Sequence, residues 1–196
     1  MDTIWWVVIA VAIAVVIIAV AAQAYLSSRR RMGLRDQFGP EYDRTVGESG
    51  SRRKAEQELA ERERARDELD IRPLTEAARE RHLQDWQRAE GRFVDDPELA
   101  AREADSIVRS VLEERGYPSG YDEQAAAVSV DHPRVVERYR HGHQMVHGNG
   151  ASGDERTENL RKAMVDFRAV FEQLVEDVEP SEDRVDEVEP SPAARG

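Results

Sequence analysis

Residues 4–22, IWWVVIAVAIAVVIIAVAA, contain no charged side chain and form an unbroken apolar run of nineteen residues. As a helix with a rise of about 1.5 Å per residue, such a run spans roughly 28 Å, close to the hydrocarbon thickness of a bilayer. A single span must satisfy its backbone polar groups internally, which requires a helix. Trp5 and Trp6 sit at one end of the run and Tyr25 just beyond the other, at the levels where amphipathic rings favour headgroups. A cleaved signal peptide is the competing reading, and Ala22-Gln23-Ala24 fits its cleavage pattern. Against it, the residues before the run include no Lys or Arg, and the run is longer than the usual apolar core of such peptides. The run is therefore expected to be an uncleaved transmembrane anchor.

The flanks predict its direction. Arg29, Arg30, Arg31 and Arg35 all follow the span, whereas only Asp2 precedes it. Basic residues stay on the cytoplasmic side, so the expectation is a single-pass protein of the inner or plasma membrane, with its N-terminus outside and its C-terminal domain in the cytoplasm. The lipid bilayer is then the first expected partner.

Beyond this run the composition turns polar. Charged residues make up 35% of the chain, aromatics 6%, and the net charge is −12. Nucleic-acid binding needs concentrated positive charge, which this balance opposes. Cysteine is absent, which excludes disulfides, thiolate metal sites and cysteine nucleophiles.

Five segments are expected: an anchor at 1–28, a juxtamembrane linker at 29–50, a charged helix at 51–70, a helical domain at 71–178 and a disordered acidic tail at 179–196. Gly33, Gly39-Pro40 and Gly47 punctuate the linker, leaving room for a brief helix after Pro40. Residues 51–70 carry Glu58–Arg62, Glu61–Arg64 and Glu63–Arg66 at helical pair spacing but few apolar positions, as a solvated spacer would. Ile71-Arg72-Pro73 ends that helix.

Within 71–178 the 3.6-residue period recurs. Ala78, His82, Trp86, Ala89 and Phe93 mark one buried face. Asp95-Asp96-Pro97-Glu98 reads as a helix start, with Asp95 and Glu98 spaced as a capping box. Ala100, Ala104, Ile107, Val108, Val111 and Leu112 follow on one face, and Gly116 ends the helix. A short helix is expected over 124–128. Asp131 is expected to cap the next helix, lined by Val135, Tyr139, Gly142 and Val146. After GNGASG at 148–153, residues 154–177 carry Leu160, Ala163, Met164, Phe167, Val170, Phe171 and Leu174 on one stripe. No strand alternation competes. The expected fold is all-α: one transmembrane helix, a charged spacer helix, a bundle of about four helices, and a tail. From Glu176 onward that tail has eight acidic residues against Arg184 and Arg195.

The residues of possible chemical interest centre on 132–147. His143 and His147 stand four apart and, on a helix, share a face that could hold zinc. Gln144 follows His143 where a zinc protease would carry its glutamate base. His141 falls on another side. Ser129 and Asp131 lie beside His132, but neighbours in sequence do not form a catalytic triad unaided, and no G-x-S-x-G elbow is present. A polar helix face is the simpler account, and no residue is assigned as catalytic, cofactor-binding or metal-ligating.

GPEYDR (39–44), IRPL (71–74), FVDDP (93–97), RGYP (115–118), SVDHPRVVERYR (129–140) and TENLRKAMVDFRAVF (157–171) together resemble a widespread family of bacterial membrane-anchored proteins labelled hypothetical, secreted or membrane. That resemblance implies no established activity, cofactor or site residue. The reading that follows is a helical adaptor or scaffold that binds another protein, with no cofactor. The alternatives are a membrane-tethered enzyme around His132, Tyr139 and His141, or a sensor in which the His132–His147 region responds to metal or pH.

Overall fold

A computed structural model of the chain describes residues 2–148 and 152–176. Its described residues form α1 (Asp2–Phe38), α2 (Pro40–Ser49), α3 (Arg52–Asp67), α4 (Glu76–Arg92), α5 (Pro97–Glu114), α6 (Tyr121–Asp131), α7 (Val136–His147) and α8 (Asp154–Glu176). The protein is all-α, as the periodicity predicts. The acidic tail expected at 179–196 lies outside the described residues.

The transmembrane part of that expectation is overturned. Among the described residues no helix is long and apolar enough to cross a membrane. The apolar run belongs to α1, a helix of 37 residues. The same helix then runs without a break through Arg29, Arg31, Arg35 and Asp36. The single-pass localisation built on that span loses its support.

Residues 29–38, expected to be a linker, are the last turns of α1. Gly33 does not interrupt it, because a helical glycine costs only about 1 kcal/mol against alanine and its neighbours are good helix formers. Gly47 likewise stays inside α2, which extends to Ser49.

The chain divides into two compact units at Arg64/Ala65. In the first, Phe38, Ala55 and Leu59 are fully buried. The charged helix α3 is thus not a fully solvated spacer, since two of its apolar positions, 55 and 59, form a buried stripe one turn long. Glu41 is also buried, and it accepts from Arg62 Nη1 at 2.8 Å and from Arg44 Nε at 3.0 Å. Tyr42 Oη donates to Glu56 at 3.0 Å, and Arg31 pairs with the same carboxylate at 3.2 Å. A buried carboxylate is tolerated because guanidinium groups meet it on the helix surface.

In the second unit, Ala101, Ala104, Val108, Val111 and Leu112 of α5 pack with Leu160, Ala163, Phe167, Val170, Phe171 and Leu174 of α8 in one core, which Trp86 of α4 and Tyr139 of α7 join. Trp86 stacks on Phe171 with ring centroids 4.7 Å apart and planes 15° from parallel. Gly142 lets α7 approach α8 closely, for a Cβ there would fall 2.9 Å from Phe167 Cε1.

Helix ends follow local chemistry with two shifts from expectation. Asp96, not Asp95, caps α5, accepting from Leu99 N at 3.0 Å, while Pro97 occupies the first turn. Glu98 is taken by Arg156 instead of closing a capping box. At the other end of α5, Tyr117 N bonds Leu112 O and Gly116 N bonds Glu113 O, each at 3.0 Å. This six-to-one and five-to-two pattern requires a left-handed residue, and Gly116 supplies it at φ +98°. Asp131 ends α6 and does not start α7, whose N-cap Val135 has no side-chain cap. Asp131 instead accepts from Arg66 Nε at 2.6 Å and Tyr117 Oη at 2.7 Å.

Candidate metal centre

The apolar stripe of α5 contains one acid. Asp105 falls between Ala101, Ala104 and Val108 on the buried face and is 2% exposed. A carboxylate there costs several kcal/mol unless hydrogen-bonded or paired. The turn-by-turn spacing of α7 supplies two partners. His143 Nδ1 lies 3.2 Å from Asp105 Oδ1, and His147 Nε2 lies 2.9 Å from Oδ2. One ligand-type atom from each of the three residues falls within 4.8 Å of the others.

Aromatic packing fixes the first imidazole. The Tyr121 ring stacks on His143 with centroids 3.7 Å apart and planes 13° from parallel. Tyr121 also packs obliquely against Tyr139, at 5.5 Å. Tyr139 is fully buried and donates its hydroxyl to Gln124 Oε1 at 2.6 Å, and Gln124 Nε2 donates to Pro118 O at 2.9 Å. Burial, with Asp105 nearby, pushes the Tyr139 hydroxyl pKa up. Burial also acts to raise the pKa of Asp105, but its hydrogen bonds from His143 and His147 outweigh this and hold it below the usual range. At neutral pH Asp105 is therefore an anion set in an apolar wall, facing two imidazoles.

This donor set suits a divalent transition metal. Two imidazoles and one carboxylate are typical zinc ligands at about 2.0–2.2 Å. Tetrahedral bonds of that length separate neighbouring donor atoms by roughly 3.3–3.5 Å. The two histidines meet different oxygens of Asp105, at 3.2 and 2.9 Å, so closing the set around an ion calls for a small adjustment of all three side chains.

The other expected residues go elsewhere. His141 faces α8, with Nδ1 at 2.5 Å from Asp166 Oδ2. Ser129 is buried and donates to Ala126 O at 2.6 Å, which turns its hydroxyl onto its own helix. Asp131 is occupied by Arg66 and Tyr117. These positions do not assemble a nucleophile, base and orienting acid, and Tyr139 bonds Gln124. A groove of about 510 Å³ between α4 and α5 is bordered by Arg81, Arg92, Glu103 and Glu114. Its charges are matched internally, by Arg81 to Glu114 at 2.6 Å and Arg92 to Glu103 at 2.5 Å.

The residue missed in the sequence was Asp105. Its signal was present, since a lone acid on a stripe otherwise made of Ala and Val requires a buried partner. The i,i+4 spacing gave the histidine pair, but nothing local joins position 105 to position 143. No protein-family model, no curated protein and no solved structure matches this chain.

Proposed function

We propose that the second unit is a metal-responsive interaction domain in which a divalent transition-metal ion, with zinc as the reference ion, binds Asp105, His143 and His147. The convergence of these three donors from α5 and α7 carries the reading. An ion held there ties the two helices together and adds its binding energy to the stability of the joint, about 2.7 kcal/mol when free metal is 100 times its Kd. The partner that reads this state is another protein. Val94, at the α4–α5 turn, and Leu99, in the first turn of the helix that carries Asp105, leave apolar surface exposed for it.

Calorimetric titration of the full chain with Zn²⁺ tests this. One ion per chain is expected. His147→Ala should weaken binding by at least the roughly 10–100-fold that loss of even an outer-shell partner costs, and His141→Ala should leave it unchanged. Because the His147 side chain is 43% exposed, its removal leaves the core intact. Full affinity in His147→Ala, or no heat with the unaltered chain, refutes the reading.

A further inference from the structure

Three protein donors do not complete the shell of a divalent metal. Structural zinc sites close with four protein ligands, whereas sites with three keep a position for an outside ligand. Among the described residues no fourth His, Cys, Asp or Glu joins Asp105, His143 and His147. His141 is turned toward Asp166, and the flat side of His143 is covered by the Tyr121 ring. His147 lies at the solvent edge. The site is thus walled on the Asp105 and Tyr121 sides and open beside His147.

Charge indicates what enters. A divalent ion with one carboxylate and two neutral imidazoles retains one net positive charge. Arg109, one turn beyond Asp105 on the same face of α5, adds a second cation, and its Nε is buried without a hydrogen-bond partner. A net positive, partly enclosed position open to water on one side favours a small anion over a neutral donor.

We propose that the ion held by Asp105, His143 and His147 keeps one coordination position that exchanges water for a small monodentate anion. This rests on the metal reading above and specifies the class of ligand that the same site takes. The association forms one metal–anion bond and releases one water, with no change of oxidation state.

The test uses the full chain loaded with Co²⁺, whose visible absorption reports coordination, and azide as the probe. The expected result is a saturable change in the cobalt bands with one azide per chain. Arg109→Met should leave Co²⁺ binding unchanged and weaken azide several-fold. A His143→Ala, His147→Ala double variant should show neither signal. Co²⁺ bound one to one, with a spectrum that azide does not move, overturns this inference and leaves the metal site standing. No Co²⁺ bound by the unaltered chain overturns both.

Discussion

Replacing Gly142 with Ala should destabilise the second unit although it inserts a better helix former. Within a helix interior, Gly→Ala ordinarily gains about 1 kcal/mol. At position 142 the new Cβ would lie 2.9 Å from Phe167 Cε1 and 3.1 Å from both Cδ1 and Cζ. Three ring carbons would be struck at once, and Phe167 is fully buried, so the ring has nowhere to turn. Forcing a methyl group into such packing costs about 1–3 kcal/mol. With three contacts crowded the upper part of that range applies, leaving a net loss of roughly 1–2 kcal/mol. Gly91 provides the control: it is helical and exposed, and a Cβ there meets nothing within 4 Å. Gly91→Ala should therefore stabilise by roughly 0.5–1 kcal/mol. Urea unfolding gives the free energies, and hydrogen exchange assigns them to α7 and α8. In a Phe167→Leu background Gly142→Ala should cost less, giving a coupling of at least about 0.5 kcal/mol between the two positions. A neutral or stabilising Gly142→Ala, or strict additivity with Phe167→Leu, would refute the argument that close helix approach makes this glycine necessary.

Three further outcomes follow from the same geometry. Hydrogen bonds from Arg156, then Arg102, hold the Glu98 carboxyl at about 2, against an ordinary value of 4.5. A depressed carboxylate contributes stability above its unfolded pKa and loses it as pH falls, so the melting difference between the natural chain and Glu98→Gln should be widest above pH 4.5 and vanish near pH 2. A gap that stays constant with pH contradicts the pairing. Tyr139→Phe strands Gln124 Oε1 in a fully buried position and should cost about 1–2 kcal/mol in urea unfolding. Adding Gln124→Leu removes the stranded Oε1 but also takes away the donor to Pro118 O, so it should recover little of that loss. Asp131→Ala removes the acceptor of the buried Tyr117 hydroxyl and the partner of Arg66 together, for about 2 kcal/mol. Asp131→Asn, which keeps an acceptor for Tyr117, should cost less, and equal losses would show that the hydroxyl contact is not what matters.

Position by position, the stripes were legible because helix burial repeats every three or four residues. Trp86, Val108, Tyr139 and Phe167 all sit where their spacing put them. Cap identities slipped by one residue at Asp95/Asp96, since either acid satisfies the local pattern and only the backbone turn selects between them. Asp131 was misplaced for a different reason. Next to Pro133 it has the local features of a cap, but its oxygens are claimed by Arg66 and Tyr117, which lie 65 and 14 residues away. Reading the apolar run of 4–22 as a membrane span followed from hydropathy alone. The described part of α1 continues through the arginines and does not support it.

Taken alone, the sequence determined the helical character, the buried stripes of α4, α5, α7 and α8 and the i,i+4 histidine pair, because all three depend on interactions within about two turns of chain. Tertiary structure decided which stripes meet, that Glu41 and Asp105 are buried acids with partners, and that His143 and His147 close on Asp105 while His141 turns to Asp166. These outcomes depend on how α2 meets α3 in the first unit and how α5, α7 and α8 pack in the second, and packing brings together side chains that local periodicity cannot relate.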